Sequence, residues 1–198
     1  SALEALSPYV TRKSYPGKGR SIVQLAYGGM PAYVSSDVVT FEMMWKVLGG
    51  SSHSRLLTRL RDELAAVYRV DVRPQLYNGI LIIELTCEPD QTESLALEVL
   101  KEVDRLQTEL ISEEELREQR KLADNEYRMG ADNLERLVQL QYQATITGRA
   151  MNIIDHADLL HTAEPEMIRR HAQALTLRKI FIYDAADGEL LQEGEQDE

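Results

Sequence analysis

Arg61 and Tyr68 stand seven positions apart, the first near the end of a helical pattern and the second just beyond it. A guanidinium is a rigid fork of N–H donors, and a phenol hydroxyl both donates and accepts. Two such groups converging on one point could hold a peptide carbonyl, or the oxyanion that forms when water attacks it. The same spacing admits a plainer arrangement, in which Arg61 pairs with a carboxylate on an exposed helix and Tyr68 joins Val70 and Val72 on the apolar face of a strand.

The elements that must position the pair follow from local pattern. Val38 to Leu48 is apolar nearly all round, with Phe41, Met44, Trp45 and Val47, which predicts a buried helix with Gly49 as a natural C′ residue. His53 to Leu64 forms the next helix, with Leu56, Leu57, Leu60 and Leu64 on one stripe. Tyr68, Val70 and Val72 alternate with Arg69, Asp71 and Arg73 as one strand, Tyr77-Asn78-Gly79 turns the chain, and Ile80 to Cys87 returns antiparallel. Ser21 to Gly28 reads as an earlier strand and Lys179 to Tyr183 as the last.

Between these lie helices. Asp90 and Glu93 are placed to cap one after Pro89, and Ser112 with Glu115 repeats the device. The second helix runs on through Leu134 to Tyr142, with a bend expected near Gly130 to Asn133. Ile153 to Leu160 and Pro165 to Ala174 are shorter helical segments. Helices segregated from a mainly antiparallel sheet and packed on one face make the α+β class.

A chain of 198 residues, 43% apolar, suits one core. Residues 1–20 hold Pro8, Pro16, Gly17 and Gly19 and read as a linker or extended arm, residues 21–185 as the domain, and residues 186–198 as an acidic tail expected to be disordered. Lys18-Gly19-Arg20-Ser21 has the flavour of a phosphate loop but lacks its spacing and precedes a strand. The formal charge of −11, with basic residues scattered, argues against a nucleic-acid surface. No apolar run reaches the roughly 18 residues of a membrane span. The single Cys87 forms no internal disulfide and is expected to be a buried structural thiol. The chain starts at Ser1, as a processed or excised piece would, so the compartment is left open.

Certain pieces, in order, resemble a known family. They are Gln24 to Gly28, Leu48-Gly49-Gly50 with Ser54-Arg55-Leu56, the Arg61 and Tyr68 pair, and Glu88-Pro89-Asp90 before a helix. Ile111-Ser112-Glu113-Glu114-Glu115-Leu116 and the Thr162 to Ala172 helix opening agree as well. Over roughly residues 20 to 185 the chain resembles the C-terminal, zinc-free repeat of the pitrilysin/insulinase-type zinc metallopeptidases, which include the mitochondrial processing peptidase. The resemblance implies the repeat fold of processing-peptidase-like and LuxS-like proteins. It implies a partner as well, an N-terminal repeat whose inverted His-x-x-Glu-His motif holds zinc while its glutamate activates water. Arg61 and Tyr68 match, one for one, the arginine and tyrosine that this family's C-terminal repeat extends toward the substrate backbone. Many relatives carry a glycine shortly before the tyrosine, where this chain has Ala65, and a polar or basic residue in place of Leu64, which puts the shape of the presenting loop in question.

His53, His156, His161 and His171 are the only histidines, and none begins the inverted motif. His161-Thr162-Ala163-Glu164 supplies half of it, but Pro165 stands where the second histidine belongs. This chain is therefore expected to bind no catalytic zinc and to be inactive alone. The leading expectation is the non-catalytic C-terminal domain of a two-repeat zinc endopeptidase, acting on peptides. The alternative is a separate zinc-free subunit or inactive paralogue that binds peptide or scaffolds a complex. A stand-alone small-ligand enzyme is a third reading, disfavoured by the absence of a nucleophile–base pair or glycine-rich cofactor loop. The side that should face the other repeat makes a homodimer of the isolated domain an expectation too.

Overall fold

The structure, a computed structural model, describes residues 3–7, 9–16, 19–32, 35, 37–75, 77–130 and 153–186. The expected continuation of a helix to Tyr142 and the acidic tail lie outside these residues.

Five strands form one sheet in the order β1-β5-β2-β4-β3. They are β1 (Val10–Pro16), β2 (Ser21–Gly28), β3 (Val67–Gln75), β4 (Ile80–Cys87) and β5 (Thr176–Ala186). The helices are α1 (Asp37–Trp45), α2 (Thr92–Thr108), α3 (Glu113–Gly130), α4 (Ile153–His161) and α5 (Pro165–Ala174). All pairings are antiparallel except β1 with β5, so the sheet is mixed. That parallel strand comes from the segment expected to be an arm. Its polar sequence hid it, because an edge strand needs no apolar alternation and charged residues guard its edge, as Arg12 does in pairing with Asp184 at 3.2 Å.

Alternation decides which face the helices cover. In β4, Leu81, Ile83, Leu85 and Cys87 are buried while the residues between them are not, and β2 repeats this with Val23, Leu25 and Tyr27. Val72, Ile180 and Ile182 complete the covered face, against which Phe41, Met43, Met44, Leu48, Leu56 and Leu60 pack. Burial, with the carboxylates of Glu88, Asp184 and Asp90 adding to it, pushes the Cys87 thiol up to about 11, an inert core group. The other face carries polar contacts: Gln24 donates to Glu84 at 2.6 Å, Arg73 donates to the same carboxylate at 2.9 Å, and Asp71 pairs with Arg69 and Arg73.

Two expectations about helix ends are corrected. Residues Lys46–Gly50, after α1, and Leu57–Glu63, after a start at Arg55, are wound as π-helix. Gly49 is no left-handed stop. A Cβ there would lie 2.3 Å from a methyl of Val72, and one at Gly50 would lie 2.1 Å from the Trp45 ring, so both glycines permit close approach. Asp90 does not cap α2 either, because Pro89–Gln91 forms a separate 3-10 turn and α2 starts at Thr92 without a side-chain cap. At α3 the expected box is half formed. Ser112 accepts from the Glu115 amide at 3.0 Å, but the Glu115 carboxylate instead takes the fork of Arg55 at 2.7 and 2.9 Å.

Charge is buried between helices. Lys46, 2% exposed, lies between Glu126 at 2.5 Å and Glu42 at 3.6 Å, and Glu42 also bonds His156 at 2.8 Å and Tyr127 at 3.1 Å. Burial raises the Glu42 pKa, and these partners more than reverse that, leaving it below its ordinary value.

Gly49→Ala is expected to cost about 1 to 3 kcal/mol, since Val72 is β-branched and hemmed in by the core. Urea denaturation measures this, and an unchanged midpoint contradicts the packing account. A pH dependence follows from His171, which is buried against Phe41 and shares a 2.8 Å hydrogen bond with Thr40. Burial holds its pKa below the ordinary 6.5, with Arg170 acting the same way and Asp37 opposing. Its contribution to stability is therefore full above about pH 6.5 and declines as the pH falls further. An NMR titration giving His171 a pKa at or above that value contradicts this.

Candidate functional site

Strand register brings three separated residues to one end of the sheet. Ser21 lies opposite Cys87, and Cys87 opposite Val67. One step beyond that row stand Arg20, entering β2, and Glu88, leaving β4, while on β3 Tyr68 lies one step inside it, between Val67 and Arg69. The Arg20 guanidinium carbon stands 3.4 Å from the centroid of the Tyr68 ring, and the Tyr68 hydroxyl donates to Glu88 Oε1. Tyr15, on β1, donates its own hydroxyl to the Arg20 carbonyl. The phenol pKa of Tyr68 is raised, first by the hydrogen bond to Glu88 and then by that carboxylate's charge, with Arg20 opposing.

Tyr68 is not a core residue. The β3–β4 ladder sets Val67 against Cys87 and then Arg69 against Thr86, so Tyr68 is the extra residue of a bulge. The bulge breaks alternation at that point. Val72 is buried and Val70 packs against the core, whereas Tyr68 is 50% exposed. The reading that aligned the three on one apolar face is overturned.

Arg61 lies in the second π segment, half exposed, with its Nε donating to Asp62 at 2.8 Å. That hydrogen bond, with the Asp62 charge behind it, raises the guanidinium pKa. Arg61 and Tyr68 thus bond different partners and not each other. The joint between them is tight. Leu64 N–H donates to Arg59 O at 3.1 Å and Ala66 N–H to Leu60 O at 3.0 Å, a closure that forces Ala65 to a φ of +48°. Among the described residues Ala65 is the one non-glycine at positive φ, where glycine is the usual occupant.

The π segment is anchored by Arg55 on Glu115 and by Arg59, which donates to Glu98 at 3.1 Å and Glu63 at 2.8 Å. These pairs line a groove of about 630 Å³ whose four basic side chains, Arg55, Arg59, Lys101 and Arg105, face four glutamates. The groove is an ion-pair lattice without net charge.

The histidines scatter. His156 bonds Glu42, His161 bonds Asp124 at 2.7 Å, His171 bonds Thr40, and His53 lies beside Ser52. Among the described residues no group of three His, Cys, Asp or Glu is placed to hold a metal ion, so zinc has no fitting site there.

Sequence reading missed Arg20 as a neighbour of Tyr68 and Glu88 as its acceptor. Half of this was within reach, because the turn at residues 77–79 sets β3 against β4 and so brings the end of β4 near the start of β3. The pairing of β2 with β4 is long-range and left no local mark.

The comparisons with known proteins agree with this architecture. The model of the family described as the peptidase M16 inactive domain matches residues 6–122, and the chain belongs to that family. No curated protein sequence matches. Solved structures share the fold. A protease from Helicobacter pylori gives a TM-score of 0.76 at 15% identity, over 88% of this chain and 42% of that one. The peptidase M16 inactive domain from Pseudomonas fluorescens gives 0.70 at 16%, over 90% and 43%. An inactive peptidase domain from Bordetella parapertussis gives 0.67 at 21%, over 89% and 95%. The chain therefore spans less than half of the first two.

Ala65→Gly is expected to be neutral or stabilising by up to about 1 kcal/mol, since relief of left-handed strain outweighs or balances the added chain entropy. Ala65→Val should destabilise. Thermal denaturation of both variants checks the sign, and a clear loss in Ala65→Gly contradicts the assigned backbone.

Proposed function

We propose that this chain is the non-catalytic C-terminal half of a zinc metalloendopeptidase, closing one side of a peptide-holding chamber. In this reading it extends Arg61 and Tyr68 to the substrate near the zinc site of an N-terminal repeat, in the same parent chain or in a separate subunit. The observation that carries the reading is the bulge, which takes Tyr68 out of the apolar alternation and leaves its phenol at the surface beyond the π segment bearing Arg61. A chain spanning under half of a related protease has room for a second half elsewhere. The face of the sheet opposite the core, where Gln24 and Arg73 both bond Glu84, suits a chamber wall in contact with water and peptide.

The zinc of the other repeat would supply the activated water. The part of this chain is to bind and orient. Arg61 offers donors to peptide carbonyls, and Tyr68 offers its hydroxyl to the carbonyl or to the oxyanion that develops from it. One observation favours the second reading, a zinc-free scaffold subunit: the phenol is already engaged by Glu88, as a purely structural tyrosine would be.

In the assembled two-repeat enzyme, Tyr68→Phe should lower turnover of a fluorogenic peptide by about a hundredfold or more, the usual cost of one lost oxyanion donor. Arg61→Ala should lower it as well, and zinc content should stay the same in both. Unchanged turnover in both variants removes the substrate-contact role and leaves the scaffold.

A further inference from the structure

We infer that Arg20 and Glu88 are positioning residues for Tyr68: the guanidinium fixes the plane of the ring, and the carboxylate accepts the phenol's hydrogen bond until a peptide carbonyl replaces it as acceptor. This rests on the substrate-contact role proposed above.

The bulge creates the need. A tyrosine outside the ladder and half exposed has no core wall to select its rotamer, and ordering it for each substrate would cost side-chain entropy. Arg20 supplies the missing wall. Its guanidinium lies flat enough on the ring to bring its central carbon within 3.4 Å of the centroid, a cation–π contact on one face. The origin of that side chain is fixed in turn, because β1 pairs with β5 along its length and Tyr15 donates to the Arg20 carbonyl. The segment before β2 thus becomes part of the site.

Glu88 governs the proton. A carboxylate only accepts, so the phenol must donate to it, and the lone pairs of the phenol oxygen are what remain for other groups. To donate to a substrate carbonyl the hydroxyl need only turn about its own C–O bond while the ring stays under Arg20. The arginine charge also offsets the pull of the glutamate on the phenol.

Two measurements test this. In the two-repeat enzyme, Arg20→Ala should lower kcat roughly tenfold with little change in KM, because the donor remains but loses its placement. In a Tyr68→Phe background it should cost nothing further, and Arg20→Lys should recover part of the loss. An equal loss from Arg20→Ala with and without the Tyr68 hydroxyl overturns the inference. In this chain alone, ultraviolet titration against Tyr68→Phe isolates the Tyr68 phenol. Glu88→Gln should move its pKa down toward that of free tyrosine, and Arg20→Ala should move it up. A phenol unmoved by Glu88→Gln overturns the inference as well. If Tyr68→Phe leaves turnover intact, the substrate contact of Tyr68 falls, and the titration alone decides whether Arg20 and Glu88 position the phenol.

Discussion

The alignment of Ser21, Cys87 and Val67 in one row of the sheet is the constraint on which the molecule depends. It is enforced by burial. A slip of one residue in β4 would send Leu81, Ile83, Leu85 and Cys87 to the open face and bring Glu84 into the core, so one register is strongly preferred. The same row brings Arg20 and Glu88 to Tyr68. The candidate site is thus a by-product of core formation at its own end.

Around that row, rigid and strained features share the work of aiming side chains. The first π turn presses Gly49 on Val72 of β3, and the second ends in the left-handed Ala65 before β3 starts. Strand β3 is therefore held by a close backbone contact in its middle and by a tight joint at its start. Between the two lies the bulge. An alanine in the left-handed region and a residue outside the ladder both cost stability; the second is Tyr68 itself, and the first, Ala65, lies just before β3. Backbone outliers of this kind cluster at binding and catalytic sites, and here they stand beside one exposed phenol.

Much of the fold was legible because the period of burial matches the period of sequence. Ser21–Gly28 and Ile80–Cys87 are strands with the bounds that alternation predicts, and Pro165–Ala174 is a helix opened by its proline. What was missed has physical causes. Strand β1 is an edge with a polar pattern, the π windings hide inside helical periodicity, and the Tyr68 bulge looks like ordinary alternation because an extra residue leaves no trace in composition. The Ala65 substitution was legible as a conflict with glycine before any backbone was known, and its φ of +48° gives that conflict its physical form. The site was half legible: the spacing of Arg61 and Tyr68 singled them out and the β3–β4 hairpin brings Glu88 near Tyr68, while Arg20 depended on a pairing between strands some sixty residues apart in the chain.

The central claim is that this domain completes a peptidase centre whose zinc lies elsewhere. The most direct measurement is reconstitution. The zinc-binding repeat would be assayed on a fluorogenic peptide alone and after addition of this chain in increasing amounts. The account predicts slow or absent hydrolysis by the repeat alone and a saturable gain when the chain is added. A rate from the zinc-binding repeat that is the same with and without this chain would contradict it.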